Sequence, residues 1–174
     1  MIIRFSEYND SEIDFEETYN PKSVDLDDET AQIAGPIKVE GTARRSSGIA
    51  RVKGNLLGNL EIACSRCLQP ANFELDTRFE VDFVTLENYG AASHETELKL
   101  NDLSLSVYDG EQINLDEVVR EQILLNLPMQ ELCKADCAGL CEKCGVNKNA
   151  ASCDCETKQI DPRWSALKEL KSKN

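Results

Sequence analysis

The chain has 174 residues, enough for one domain with a modest hydrophobic core and a small appendage. Its 32 acidic and 19 basic residues give a net charge of -13, which disfavours broad, non-specific binding to nucleic acid, because such binding needs Lys and Arg to neutralise phosphates. The N-terminal stretch MIIRFSEYND has no apolar signal-peptide core and no apolar run is long enough to cross a bilayer, so the sequence predicts a soluble, cytoplasmic protein.

The first part of the chain predicts an arm followed by a hairpin. Residues 1–30 are acidic and poor in apolar side chains, which favours a loosely held arm with one short strand at residues 2–5. Residues 37–57 have Ser-Ser-Gly at their middle and apolar residues on both sides, the pattern of a β-hairpin. Four basic residues with no acidic residue between them lie on this hairpin: Arg44, Arg45, Arg51 and Lys53.

A second β-rich stretch follows the hairpin. In residues 73–83 the odd-numbered positions are mostly apolar and the even-numbered positions are charged, a period of two that predicts a half-buried strand. Residues 87–97 predict a polar loop, in which we expect His94 to be exposed and without function. Alternation returns at Leu103, Leu105 and Val107 before an Asp-Gly turn.

Two amphipathic helices are predicted in the C-terminal part of the chain. The first begins after Asn114, which can cap it together with Glu117, and Pro128 stops its continuation. The second has Asp161 as its N-cap and an apolar face formed by Trp164, Leu167 and Leu170.

Together these elements predict an α+β fold in two parts. Residues 1–130 are expected to form a mostly antiparallel β-sheet or partly open barrel packed by one helix. Residues 131–174 are expected to form a small cysteine-rich zinc module that ends in the terminal helix.

Eight cysteines dominate the chemistry that the sequence offers. In a reducing cytoplasm, clustered CxxC spacings indicate metal or redox chemistry, and eight thiols suggest two sites of four. Zinc prefers four tetrahedral ligands, and a CxxC turn that ends in Gly brings two thiolates to one ion. The sequence CEKCG followed by CDC therefore predicts a local zinc site: Cys141, Cys144, Cys153 and Cys155.

The second predicted site spans distant parts of the chain. Cys133 and Cys137 remain in the C-terminal segment, and Cys64 and Cys67 of the upstream CSRC are the candidates left to complete four ligands. A metal ion there would join the sheet to the C-terminal segment by closing a large loop. Two alternatives stay open: the upstream pair could be a redox pair, or all six downstream cysteines could share metal and leave that pair free.

Catalysis has little support in the sequence. A thioredoxin-like CxxC needs a helix start with an activated first thiol, yet strand-like sequence flanks Cys64 and Cys67, and Pro70 follows soon after. Four-thiolate sites also lack the open position that a catalytic zinc keeps for water. We therefore expect two structural Zn²⁺ ions and no enzymatic activity.

Two basic patches interrupt the acidic background. One is the hairpin stretch from Arg44 to Lys53, the candidate place for RNA contact, and the other lies at the C-terminus: Arg163, Lys168, Lys171 and Lys173. Ordinary solvated surface explains each patch as well as a contact role does.

The order and spacing of the motifs resemble one known family. The stretches CSRCL, LLNLP, LCKADCAGLCEKCGVNKN, CDC and DPRWSALKEL are similar to the YceD family, the large ribosomal RNA subunit accumulation proteins, over nearly the whole chain. Three residues depart from the family pattern without removing a cysteine, and we expect them to change partner preference: Glu131, Glu142 and Lys148.

The resemblance implies a non-catalytic role in the accumulation or processing of 23S ribosomal RNA and in assembly of the large ribosomal subunit. The implied partners are the large-subunit precursor, ribosomal RNA or a basic ribosomal protein, with no membrane and no small-molecule substrate. An acidic protein suits a basic ribosomal partner. The alternative from another class is a thiol-disulfide or metal-handling protein that uses Cys64 and Cys67.

Overall fold

The computed structural model describes residues 1–5, 12–85, 87 and 105–155. Its strands are β1 (Ile2–Arg4), β2 (Ile13–Tyr19), β3 (Ala31–Ile33), β4 (Ile37–Ser46), β5 (Ile49–Ala63), β6 (Pro70–Thr85), β7 (Leu105–Tyr108) and β8 (Gln112–Asn114). Its helix is α1 (Leu115–Leu125). The described part of the chain is thus mostly β-sheet with one helix, as the sequence predicts.

The strands form one large sheet and one small one. The large sheet has the order β2-β4-β5-β6-β7, with β3 paired to β5, and β1 pairs with β8 separately. Pairing is antiparallel except between β6 and β7, which run parallel. Among the described strands, β2 and β7 are the two edges and do not pair with each other. The sheet is therefore open and does not close into a barrel.

The predicted hairpin and the predicted long strand are both confirmed. Strands β4 and β5 pair from Ser46 opposite Ile49 onwards, with Ser47 and Gly48 as the two turn residues. Both turn residues have positive φ, 54° and 82°, as a tight type I′ turn requires. Strand β6 pairs with β5 along the whole of β5, so these two strands form the central ribbon of the sheet.

The prediction of a loosely held arm over residues 1–30 is wrong in the described residues, although its short first strand is confirmed as β1, which pairs with β8 and buries Ile3. Strand β2 pairs with β4 along all its seven residues, and Ile13, Phe15 and Tyr19 are buried in the core. Further along, Arg120 of α1 donates hydrogen bonds to the carbonyl oxygens of residues 25 and 26, at 2.9 and 3.2 Å. Two of the acidic residues that lower the hydropathy of this stretch, Asp14 and Glu16, alternate with the buried residues and are exposed.

Helix α1 completes the core, as its periodicity predicts. Its Leu115, Val118, Val119 and Ile123 belong to the same buried cluster as the inward residues of the sheet. The cap is also confirmed, because Asn114 Oδ1 accepts the Asp116 N–H at 3.1 Å and Asn114 Nδ2 donates to Glu117 at 3.0 Å.

Several predictions concern residues outside the described ranges. These are His94, Leu103, the helix predicted after Asp161, and the basic residues Arg163, Lys168, Lys171 and Lys173. The boundary at residue 130 between two domains also stays a prediction. In the described part of the chain, no helix is both long enough and apolar enough to span a membrane.

Two cysteine clusters as a candidate metal centre

The eight cysteines all fall within the described residues and lie in two groups of four. Cys64, Cys67, Cys133 and Cys137 form what we call the clasp cluster, and Cys141, Cys144, Cys153 and Cys155 form the local cluster. Within each cluster the four Sγ atoms lie within 4.8 Å of one another, and all eight thiols are free. The structure thus brings together the residues that the sequence assigned to each site. Metal binding by either cluster stays a prediction.

One half of the clasp cluster lies in the turn between the two longest strands. Strand β5 ends at Ala63 and β6 begins at Pro70, so Cys64 and Cys67 stand at the end of the central ribbon. Two backbone hydrogen bonds close this turn: Leu68 N–H donates to the Cys64 carbonyl at 2.9 Å, and Cys64 N–H donates to the Gln69 carbonyl at 2.8 Å. The two thiols are therefore carried by a strand-to-strand turn and not by a helix start.

The other half of the clasp cluster is held against that turn by Arg66. The Arg66 guanidinium donates to the Cys137 carbonyl at 2.9 Å, and the Arg66 carbonyl accepts the Leu140 N–H at 3.0 Å. Gly139 has φ +72°, and a Cβ there would lie only 3.1 Å from the Arg66 carbonyl oxygen. A glycine is thus needed where the C-terminal segment passes the turn.

The geometry of the clasp cluster fits one four-coordinate ion. Sulfurs bound at about 2.3 Å in a tetrahedron are separated by about 3.8 Å. In the cluster, Sγ of Cys64 lies 3.8 Å from Sγ of Cys137, and Sγ of Cys67 lies 3.5 Å from Sγ of Cys133. Cys64, Cys67 and Cys137 are at most 3% exposed. Cys133 is exposed. Four thiolates would leave no open coordination position on a tetrahedral ion, which suits a structural site.

The local cluster is built on a tight turn in the C-terminal segment. The Cys141 N–H donates to the Val146 carbonyl and the Gly145 N–H donates to the Cys141 carbonyl, both at 2.8 Å. Gly145 has φ +73°, a conformation that favours glycine. A β-bridge between Leu140 and Asn147 braces the base of the turn.

Backbone hydrogen bonds favour thiolates in both clusters. N–H groups of Cys133, Arg66 and Cys67 outweigh burial and lower the pKa of Cys64 to about 6. In the local cluster, N–H groups of Cys144 and Lys143 lower the pKa of Cys141 to about 6. Thiolates are the form of cysteine that binds metals.

Other thiols in the same clusters are shifted the opposite way. The hydrogen bond with Cys67 raises the pKa of Cys133 to about 12, and that with Cys144 raises the pKa of Cys155 to about 12. Four sulfurs this close do not all carry a negative charge unless a cation compensates them. The donor set therefore suits a divalent ion, and four sulfurs in a tetrahedron favour zinc or an iron–sulfur centre.

The basic residues of the hairpin do not form one uniform patch. Arg44 and Arg51 are cross-strand neighbours, and Arg44, Arg51 and Lys53 are all exposed. Two of these charges are paired with acids of β6: Arg51 Nη2 lies 2.7 Å from Asp82, and Lys53 Nζ lies 3.1 Å from Glu80. Sequence reasoning missed these acids because the β5–β6 register, not the sequence spacing, brings them alongside.

Arg45 lies apart from the other three. It alternates with Arg44 along β4, is partly buried, and donates from Nη1 to the Gly110 carbonyl at 3.0 Å. Arg45 therefore holds the turn between β7 and β8 and is the least available of the four for RNA.

Sequence reasoning also missed Asn149. Its Nδ2 donates to Cys137 Sγ at 3.3 Å, and its Oδ1 accepts the Ala138 N–H at 2.9 Å. An asparagine in a polar loop between cysteines carries no signal of such a role. Of the residues that depart from the family pattern, Glu142 and Lys148 are exposed and leave both clusters intact.

Comparison with known proteins assigns the chain to a family. The family model described as "Large ribosomal RNA subunit accumulation protein YceD" matches residues 52–171, a range that includes all eight cysteines. The Bacillus subtilis protein YlbN is 26% identical over 160 residues, which cover 90% of this chain and 87% of YlbN.

Two further relatives are longer than this chain. A chloroplastic protein of Zea mays, named large ribosomal RNA subunit accumulation protein YCED homolog 1, is 26% identical over 157 residues, covering 78% of this chain and 54% of its own. The Mycobacterium bovis protein Mb2951c is 32% identical over 107 residues, covering 62% of this chain and 48% of its own. The chain thus spans about half the length of these two relatives. No solved structure matches it. Because the family model covers more than half of the sequence, the chain belongs to the YceD family of large ribosomal RNA subunit accumulation proteins.

Proposed function

We propose that the protein is a non-catalytic ribosome-biogenesis factor. It supports accumulation or processing of 23S ribosomal RNA and assembly of the large subunit, and two zinc ions stabilise its structure. Family membership supports the first part, together with the name of the maize relative. The observation that carries the second part is the grouping of eight free thiols into two clusters, each within 4.8 Å.

Zinc would act on folding in this protein. When bound, the ion supplies four strong bonds to thiolates and no reactive position. Cys64 and Cys67 would hold it from the end of the β5–β6 ribbon, and Cys133 and Cys137 from the C-terminal segment. A metal ion in the clasp cluster would then fix that segment to the sheet. The segment and the sheet would together present one fixed surface to a partner.

The charge of the chain supports a basic partner. A net charge of -13 favours a basic ribosomal protein or a protein-rich face of the large-subunit precursor over extended contact with RNA. Cytoplasmic localisation is part of the proposal, because eight free thiols suit a reducing compartment.

A thiol-disulfide or metal-handling protein is the second candidate, and the lowered pKa of Cys64 favours it. The burial of both cysteines argues against this candidate, because a disulfide substrate needs access to the attacking sulfur. Cys64 and Cys67 are only 0% and 2% exposed. Thiolate titration of Cys64 in metal-free protein tests the second candidate, because an ordinary pKa excludes the redox role.

Two measurements test the favoured function. Tagged protein is purified from cells at low salt, and its bound RNA and proteins are identified; we expect large-subunit precursor material, and free protein would contradict the biogenesis role. Native mass spectrometry of the same sample should find two zinc ions per chain. A folded, zinc-free protein with ordered Cys141 and Cys144 would contradict the role of zinc.

A further inference from the structure

Asn149 connects the two cysteine clusters. It lies in the loop that joins the two halves of the local cluster, between Cys144 and Cys153, yet its side chain contacts the clasp cluster. Its Nδ2 donates to Cys137 Sγ at 3.3 Å, and its Oδ1 accepts the Ala138 N–H at 2.9 Å. One carboxamide thus holds both the sulfur of a clasp residue and the peptide that follows it.

The position of Asn149 depends in turn on the loop around it. Asn147 Oδ1 accepts both the Asn149 backbone N–H at 3.0 Å and Asn149 Nδ2 at 2.9 Å. The Asn147 carbonyl accepts the N–H groups of Ala150 and Ala151, each at 3.0 Å. This loop starts at Asn147, which forms a β-bridge with Leu140 next to Cys141, and it ends at Cys153, so both of its ends lie beside residues of the local cluster.

A backbone hydrogen bond also links the Asn149 loop to the part of the segment that carries Cys137. The Lys148 N–H donates to the Gly139 carbonyl at 2.9 Å, which places the loop alongside the short connection from Cys137 to Cys141. Leu140 in that connection packs against the clasp cluster and forms the bridge to Asn147. The Asn149 loop and the connection from Cys137 to Cys141 are therefore bonded to each other, and together they carry residues of both clusters.

Hydrogen bonds to a metal-bound sulfur orient the ligand and stabilise the bound state, and their loss typically weakens metal binding by about 10- to 100-fold. If the loop is already ordered, a bond such as the one from Asn149 forms without a further loss of conformational entropy. An ion in the local cluster would fix Cys144 and Cys153 and so order the loop between them. The clasp cluster would then bind its own ion with the Asn149 donor to Cys137 already in place.

We propose that Asn149 is a positioning residue that couples the two clusters, so that metal in the local cluster strengthens metal binding by the clasp cluster. By linkage, metal in the clasp cluster strengthens binding by the local cluster by the same factor. This coupling rests on the metal binding proposed above.

Cadmium binding to the full reduced chain tests the coupling, because each four-thiolate site gives its own cadmium NMR resonance. Titration with a competing chelator yields the affinity of each cluster in wild type, Asn149→Ala, Cys144→Ser and the double variant. Asn149→Ala should weaken the clasp cluster about tenfold. Cys144→Ser, which disables the local cluster through an exposed ligand, should weaken it by a similar factor. The double variant should be no weaker than Cys144→Ser alone, because both changes remove the same coupling.

Two further variants test whether the side-chain amide of Asn149 is the group responsible. Asn149→Asp keeps an acceptor for the Ala138 N–H but replaces the donor to Cys137 with a carboxylate oxygen, so it should weaken the clasp cluster at least as much as Asn149→Ala. Ala150→Ser, at an exposed position of the same loop, should leave both affinities unchanged. Far-ultraviolet circular dichroism checks that the sheet is folded in each variant.

The outcomes separate this inference from the proposed function. If wild type binds two ions and the clasp affinity of Asn149→Ala or Cys144→Ser stays within about twofold of wild type, the coupling is wrong and the structural metal role stands. Independent, additive losses in the double variant also overturn the coupling. A folded wild type that binds no ion overturns both.

Discussion

Ser65 and Glu131 exchange two hydrogen bonds across a separation of 66 residues. The Ser65 N–H donates to the Glu131 carbonyl at 2.8 Å, and the Ser65 hydroxyl accepts the Glu131 N–H at 3.2 Å. These bonds hold the start of the cysteine segment against the β5–β6 turn. Ser65 lies between Cys64 and Cys67, and Glu131 lies two residues before Cys133, so the two bonds align the two halves of the clasp cluster.

Metal removal should affect the two parts of the chain unequally. Residues 131–155 contain one isolated β-bridge and little apolar core beyond Leu132 and Leu140, whereas β5 and β6 pair along their length. We expect a chelator to accelerate amide hydrogen exchange in residues 131–155 while β5 and β6 stay protected. Hydrogen-exchange mass spectrometry with and without added zinc measures this. Equal acceleration in both parts would show instead that the sheet depends on the metal.

Much of the sheet could be predicted from local patterns. The β4–β5 hairpin, β6 and α1 each carry a periodicity or a turn signal that acts within a few residues. Strand β2 was missed although Ile13, Phe15 and Tyr19 face inward, because the acidic residues between them dominate the composition of the stretch. Alternation was a better guide there than mean hydropathy.

The candidate site could likewise be predicted only in part. Spacing alone pairs Cys141 with Cys144, and elimination assigns Cys64 to a site with Cys133. The hydrogen bond from Asn149 to Cys137 and the ion pair between Arg51 and Asp82 had no signal in the sequence. Both depend on how distant segments are placed against each other, which the order of residues does not specify locally.

Gly41 is a position where the sheet leaves no room for a side chain. A Cβ there would overlap the Lys53 carbonyl oxygen and would lie 2.7 Å from the Gly54 Cα and 2.8 Å from the Phe15 ring. We expect Gly41→Ala to lower the free energy of unfolding by about 3 kcal/mol, the upper end for overpacking, because backbone atoms are in the way. Urea unfolding followed by circular dichroism measures the loss.

The matched control for Gly41→Ala is Gly35→Ala. Nothing lies within 4 Å of a Cβ built on Gly35, so this change should stay within about 0.5 kcal/mol of wild type. Similar losses in the two variants would contradict the packing of β4 against β5.

Tyr19 and Asp116 should make stability depend on pH. The buried Tyr19 donates its hydroxyl to Asp116 Oδ1 at 2.7 Å. Burial raises the pKa of Asp116, but hydrogen bonds from the Met1 amino group and from Tyr19 outweigh burial and hold that pKa below its usual value. A carboxylate with a depressed folded pKa contributes stability above its unfolded pKa of about 3.9 and loses it as the pH falls through the folded value.

Tyr19→Phe should therefore destabilise the protein at neutral pH and less so in acid. We expect a loss of about 1.5 kcal/mol at pH 7, the low end for a bond to a charged group, because Asp116 is half exposed. The difference from wild type should shrink below about pH 4.

Tyr108→Phe is the control, since the buried Tyr108 hydroxyl has no hydrogen-bond partner among the described residues, and this change should be neutral or slightly stabilising. Urea midpoints across pH measure both, and a pH-independent loss for Tyr19→Phe would contradict the role of Asp116.

The basic hairpin offers the most direct test of RNA contact. Changing Arg44, Arg45, Arg51 and Lys53 together to Ser should abolish RNA cross-linking if the hairpin touches RNA. Arg44 is exposed and has no ion pair among the described residues, whereas Arg51 and Lys53 are paired with carboxylates of β6. Arg44→Ser alone should therefore account for most of the loss and reduce the salt dependence of binding by about one phosphate contact.

The exposed Arg78 on β6 is the matched control, and Arg78→Ser should cross-link as wild type does. Unchanged cross-linking in the fourfold variant would place the RNA contact elsewhere.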